Sequence, residues 1–143
     1  MLIGEYSHTM DAKGRVFIPA KFREELGENF IVTRGTEACL FVFSPEAWME
    51  FAGKLQHIPV MDAEAQKFLR LQFASATDCT PDKQGRILLP ARLREHAGLE
   101  KEVVAIGVMS RVELWSKEAW EAYNAYGSEE YEQALKKLSE LGI

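Results

Sequence analysis

Short apolar runs, broken by glycine, proline and clustered charge, occupy most of the chain and come in two matching sets. The first set is "RVFIP", "FIVTR" and "LFVFS"; the second is "RILLP", "VVAIGV" and "VELWS". β-Branched and aromatic residues in runs this short predict strands. The first run of each set stops at a proline, which cannot continue a ladder but suits the first position of a helix. Pro19 and Pro90 are therefore predicted to open short helices, closed by Gly27 and Gly98. Extended pieces over Tyr6–Met10 and Ala76–Thr80 lead into "DAKG" and "DKQG". These read as turns, because aspartate bonds its own backbone and glycine accepts a positive φ. Ser44 and Ser116 are N-cap candidates for helices beginning "PEAW" and "KEAW".

Helical periodicity appears in two further places. Ala65, Phe68, Leu69 and Phe73 share one face of a predicted helix over residues 62–75. Tyr131, Leu135, Leu138 and Leu141 line one face of "SEEYEQALKKLSELG", with Glu129, Glu130 and Glu132 early and Lys136 and Lys137 late, as the helix dipole prefers. That face is either a seam between subunits or a cover for the chain's own core.

The two sets are copies. "DAKGRVFIPAKFREELG", from Asp11, recurs as "DKQGRILLPARLREHAG", from Asp82, and Ser-x-Glu-Ala-Trp follows in both. A unit of roughly forty residues with short strands buries too little to stand alone. Two units can complete each other. The expected fold is α+β and β-rich, a small barrel or interleaved sheet with helices outside. Trp48 and Trp120, at matching helical positions, read as packing residues.

Composition changes this picture little, and charge changes it considerably. The chain has 143 residues, 47% of them hydrophobic, and no apolar run of the roughly 20 residues that a membrane span needs. No signal peptide is apparent, so a cytoplasmic location is expected. Cys39 and Cys79 stand alone and read as small buried hydrophobes, while His8, His57 and His96 lack metal-ligand spacing. No metal or cofactor is expected. Residues 11–23 carry Lys13, Arg15, Lys21 and Arg23 against Asp11; residues 82–94 carry Lys83, Arg86, Arg92 and Arg94 against Asp82. Each segment is +3 in a chain of net charge −5, which leaves −11 for the remainder. The positive charge sits in the repeat.

Catalysis finds no support in the residues: GxSxG and GxxxxGK[ST] are both absent. Asp11 and Asp82 fit better as turn braces, each pairing with the arginine four positions on, than as a catalytic carboxylate pair. Arginine presents a rigid fork of donors suited to phosphate and to the O6/N7 edge of guanine. Placed directly after a turn glycine (Gly14, Gly85), it projects from a fixed scaffold. Lys21 and Arg23, like Arg92 and Arg94, stand two apart on their helices and so face different ways. A module that binds a protein partner is the alternative reading. It usually brings a disordered tail, and this chain ends in a helical pattern instead.

Asp-x-x-Gly-Arg, apolar residues and Pro-x-x-x-Arg, doubled at this spacing, resemble the SpoVT/AbrB-type swapped-hairpin DNA-binding domain. With the opening "MLIGEYSHTMDAKGRVFIPAKFREEL" and the Ser-x-Glu-Ala-Trp blocks, the whole chain resembles the MraZ family of bacterial transcriptional regulators. The resemblance implies one pseudo-twofold barrel with peripheral helices: unit 1 over residues 5–48, connecting helices over 49–75, unit 2 over 76–120, and a C-terminal helix over 121–143. It implies a cytoplasmic, nucleoid-associated, sequence-specific repressor of the division and cell-wall gene cluster. Such a repressor binds short tandem direct repeats in double-stranded DNA upstream of its own operon, as a ring-shaped homo-oligomer. Arg15 and Arg86 would enter the DNA groove, with Lys13, Lys21, Arg23, Lys83, Arg92 and Arg94 beside them. Asp11, Gly14, Asp82 and Gly85 would shape and brace the turns. Copy two departs at Lys83, which aligns one position before Lys13, where Gln84 stands instead. In an extended turn that shift reverses the side the ammonium faces, so the resemblance carries the arginines over and not a contact of the Lys13 type.

Overall fold

The computed structural model describes residues 1–125 and 128–143. Residues 1–75 form β1 (Leu2–Thr9), β2 (Arg15–Phe17), α1 (Ala20–Leu26), β3 (Phe30–Arg34), β4 (Cys39–Phe43), α2 (Pro45–Leu55) and α3 (Ala63–Ser75). The rest of the chain repeats the series as β5 (Thr77–Cys79), β6 (Arg86–Leu88), α4 (Ala91–Ala97), β7 (Glu102–Met109), β8 (Arg111–Ser116), α5 (Lys117–Asn124) and α6 (Ser128–Glu140). The fold is α+β and duplicated, as the two sets of runs imply. The strands are shared between a six-stranded antiparallel sheet, in the order β1-β7-β8-β4-β3-β5, and a two-stranded sheet of β2 and β6.

The pairing is interleaved. β1 of unit 1 lies against β7 of unit 2, with Leu2 opposite Met109 and Thr9 opposite Glu102. β5 of unit 2 returns to β3 of unit 1, with Phe30 opposite Cys79. β4 meets β8 at the centre of the sheet, and β2 meets β6 in the small one. Neither unit keeps its own first strand. This is the physical reason for the duplication: the sheet is complete only when both copies are present.

Alternation along β4 sends its side chains into two cores. Leu40 and Val42 join Val16, Ile18, Phe22, Ile87, Leu89, Leu93, Val112 and Leu114 in the main core, all of them buried. Cys39, Phe41 and Phe43 face the opposite side, where they meet Trp115 and the half-buried Trp48, Phe51 and Trp120. The two tryptophans thus pack as the sequence suggests, in the second cluster rather than the first. Tyr6 of β1 meets Phe22 of α1 edge-on, ring centroids 5.2 Å apart.

Local signals match their residues closely. The Ser44 and Ser116 hydroxyls accept from the Ala47 and Ala119 N–H groups at 3.1 and 3.0 Å. Pro19 and Pro90 occupy the cap position, one residue before the helix proper, and their carbonyls accept the first helical bonds. β1 starts four residues earlier than its pattern suggests, because its register with the long β7 holds it extended from Leu2. α3 differs more. Its expected apolar face is only half-buried, and Phe73 is exposed. What it buries is polar: Thr33 Oγ1 donates to the Gln72 carbonyl at 2.7 Å and lies 3.0 Å from Ser75 Oγ. Gln72 Nε2 in turn donates to the Arg34 carbonyl at 2.8 Å. α6 differs most. From Glu129 onward every residue is exposed, so the helix does not cover this chain's core.

Candidate nucleic-acid interface

Each turn is built by its aspartate. Asp11 Oδ1 accepts from the N–H groups of Lys13 at 3.0 Å and Arg15 at 2.9 Å, and the Gly14 N–H donates to the Asp11 carbonyl. Asp82 Oδ1 accepts in the same way from Gln84 and Arg86, both at 2.9 Å. The second carboxylate oxygen holds the arginine. Arg15 Nε donates to Asp11 Oδ2 at 2.7 Å, and Arg86 Nε to Asp82 Oδ2 at 3.0 Å. The Arg15 N–H, and after it the Arg15 guanidinium and the Lys13 N–H, hold the Asp11 carboxyl below its usual range despite some desolvation. The Arg86 N–H, followed by the Gln84 N–H and the Arg86 guanidinium, does the same for Asp82. Both aspartates therefore act as ionised braces. Neither is poised for acid–base work.

Gly14 and Gly85 adopt φ of +88° and +83°, where a side chain is strained. An arginine also occupies the space beside each. A Cβ on Gly14 would lie 2.8 Å from Arg94 Nε, and a Cβ on Gly85 would lie 2.7 Å from Arg23 Cζ. Each helix arginine thus lies across the turn of the other unit, with its Nε donating to a carbonyl of its own unit: Arg23 to Ile18 at 2.9 Å, Arg94 to Leu89 at 3.0 Å. The turns are tied a second time, since the Gly85 carbonyl accepts from Ile18 N–H and the Gly14 carbonyl from Leu89 N–H.

Pairing of β2 with β6 places the two motif arginines on one surface. Val16 and Ile87 stand opposite each other and face the core. The pleat turns Arg15, Phe17, Arg86 and Leu88 outward. Arg86 Nη1 also reaches Asp11 Oδ2 at 3.7 Å, so the brace of unit 1 serves an arginine from each unit. Nη1 and Nη2 of Arg15 make no hydrogen bond among the described residues, and the side chain is about one-third exposed. Lys13, Lys21, Lys83 and Arg92 are exposed, whereas Arg23 and Arg94 are half-buried. Of the eight basic residues singled out in the sequence, Arg15 and Arg86 converge at the centre and Arg23 and Arg94 lock the turns beneath. The remaining four are solvated.

Other candidate chemistry is quiet. Cys39 and Cys79 are buried, and desolvation pushes their thiols up to about 12 and about 11. No group of His, Cys, Asp and Glu among the described residues is arranged to hold a metal. No helix among those residues is long and apolar enough to cross a membrane. The reciprocal packing of Arg23 and Arg94 was not legible in the sequence, where both look like ordinary surface charges. Its only trace is that the arginine–glutamate pair recurs unchanged in both copies while the lysine position does not.

A family model described as "MraZ protein, putative antitoxin-like" matches residues 1–71 and again residues 72–141. A transcriptional regulator MraZ of Thermoanaerobacter sp. (strain X514) is 53% identical over 143 residues, covering all of both chains. That of Alkaliphilus oremlandii is 52% identical over the same span, and that of Carboxydothermus hydrogenoformans is 55% identical over 138 residues, 96% of each chain.

Proposed function

This chain belongs to the MraZ family, one of transcriptional regulators and not of enzymes, and from that premise we propose that it represses transcription by binding double-stranded DNA through the β2–β6 face. The observation that carries the reading is the convergence of Arg15 and Arg86, each fixed through Nε, with Arg15 Nη1 and Nη2 unbonded among the described residues and Arg86 Nη1 3.7 Å from Asp11 Oδ2. Guanidinium groups held in this way lose little freedom on binding and present parallel donors to phosphate or to guanine. The exposed Lys13, Lys21, Lys83 and Arg92 add phosphate contacts around them. Arg23 and Arg94 support the surface from below.

The target is proposed to be short direct repeats upstream of the protein's own operon, within the division and cell-wall gene cluster, with the protein cytoplasmic and nucleoid-associated. A single face making a few phosphate contacts binds weakly at cellular salt. Several faces on one homo-oligomeric ring, engaging tandem boxes, would raise the apparent affinity through effective concentration. α6 supports assembly, because Tyr131, Leu135, Leu138 and Leu141 remain exposed along one face of it. Units over 5–48 and 76–120 would then act as two halves of each DNA-binding face, with residues 49–75 connecting them and 121–143 reaching a neighbour.

The test is footprinting of the protein's own upstream DNA with wild type, Arg15→Ala and Arg86→Ala at two salt concentrations. Protection is expected to be lost in both variants at the higher salt while thermal unfolding stays unchanged. Unchanged protection by both would remove this face from DNA binding. Loss in one alone would assign the reading to a single unit.

A further inference from the structure

We propose that Phe17 and Leu88 form an apolar reading site for the 5-methyl group of thymine, set between the two motif arginines. The inference rests on DNA engaging the β2–β6 face and adds what that face distinguishes. β2 and β6 have only two sides, and the inner one is taken by Val16 and Ile87, each 1% exposed. On the outer side Arg15 stands opposite Leu88, and Phe17 opposite Arg86. Directly opposed side chains in an antiparallel pair lie about 5 Å apart at Cβ. The four therefore make a small square, with the arginines on one diagonal and the hydrocarbons on the other.

Phe17 is 38% exposed and Leu88 61% exposed, although each neighbours buried residues on both sides along its strand. A solvent-facing strand position accommodates a polar residue freely, and here both copies of the repeat place a large hydrophobe instead. The His8 ring of β1 lies 5.8 Å from the Phe17 ring, tilted by 42°, and confines it from one flank. A two-stranded ribbon fits the major groove, where the apolar feature on the base edges is the thymine methyl. Beside it, the guanidinium forks find guanine O6 and N7 or the phosphates. The two corners are not equivalent, since one carries a ring and the other a branched aliphatic chain. The face consequently has a direction along the duplex, which suits direct repeats better than palindromes.

The experiment compares the protein's own upstream fragment made with thymine and the same fragment made with uracil throughout, which removes only the methyl groups. Wild type, Phe17→Ala and Leu88→Ala are titrated against both, with circular dichroism and light scattering verifying fold and subunit number. Wild type is expected to bind the uracil duplex more weakly, by about fourfold for each methyl it covers. Phe17→Ala or Leu88→Ala is expected to lose affinity for the thymine duplex and to show a smaller thymine-to-uracil ratio than wild type. A wild-type ratio near one overturns the proposal, and so does a ratio that neither substitution reduces, because the methyl effect then belongs to DNA shape. A change in subunit number with an unreduced ratio overturns it as well, and makes the two residues a subunit contact. If wild type retards neither duplex, the DNA-binding reading itself fails, which is a separate outcome.

Discussion

Gly14 carries two independent constraints, a positive φ and the Arg94 guanidinium lying against the place where a Cβ would be. Gly14→Ala is expected to cost about 1–3 kcal/mol of stability from the backbone alone, with a further loss as Arg94 is displaced. Thermal unfolding would register this, and a variant as stable as wild type would contradict the packing described. Asp11 permits a second test at this scale. Its carboxyl is depressed in the folded protein, so its contribution is complete above the ordinary carboxylate value near ~3.9 and is lost as pH falls through the lower folded value. The stability difference between wild type and Asp11→Asn should therefore be flat from neutral pH down to the carboxylate range and shrink below it. A difference that widens on acidification would contradict the brace. The sequence carries Asp11, Gly14 and Arg15 legibly, because their bonds run within five residues of chain. Arg23 lying on Gly85 spans 62 positions and two units, and no local pattern encodes such a contact.

Strands, caps and short helices were legible for the same reason. Serine caps and the Asp–Gly turns are local devices, and each sits where its residues imply. Strand partners were less so: β1 with β7 and β5 with β3 pair across the two copies, between segments far apart in the chain, and no strand's own residues encode such a partner. α3 shows the limit of periodicity, since its seat is fixed by Thr33, Gln72 and Ser75 while Phe73 stays exposed. α6 has a clear apolar line, and that line stays exposed. Removing residues 128–143 is expected to leave the thermal transition nearly unchanged and to reduce the subunit number measured by light scattering. An unchanged mass would take α6 out of the assembly.

At the scale of the whole molecule, the interleaving explains why an acidic chain keeps two basic segments. Strand exchange brings the two turns beside each other, so that Asp11 reaches the arginines of both units and Arg15 and Arg86 share one surface. On the proposed reading, the strongly negative remainder would repel a polyanion elsewhere and favour this one orientation. Adjacency of Arg15 and Arg86 is the point on which the functional account turns. The most direct measurement is the salt dependence of binding to the protein's own upstream DNA for wild type and the Arg15→Ala, Arg86→Ala double variant. If both arginines touch DNA, the double variant binds far more weakly with its fold intact, and each phosphate contact removed lowers the log–log slope by about 0.9. Equal affinity and equal slope in the two proteins would contradict it.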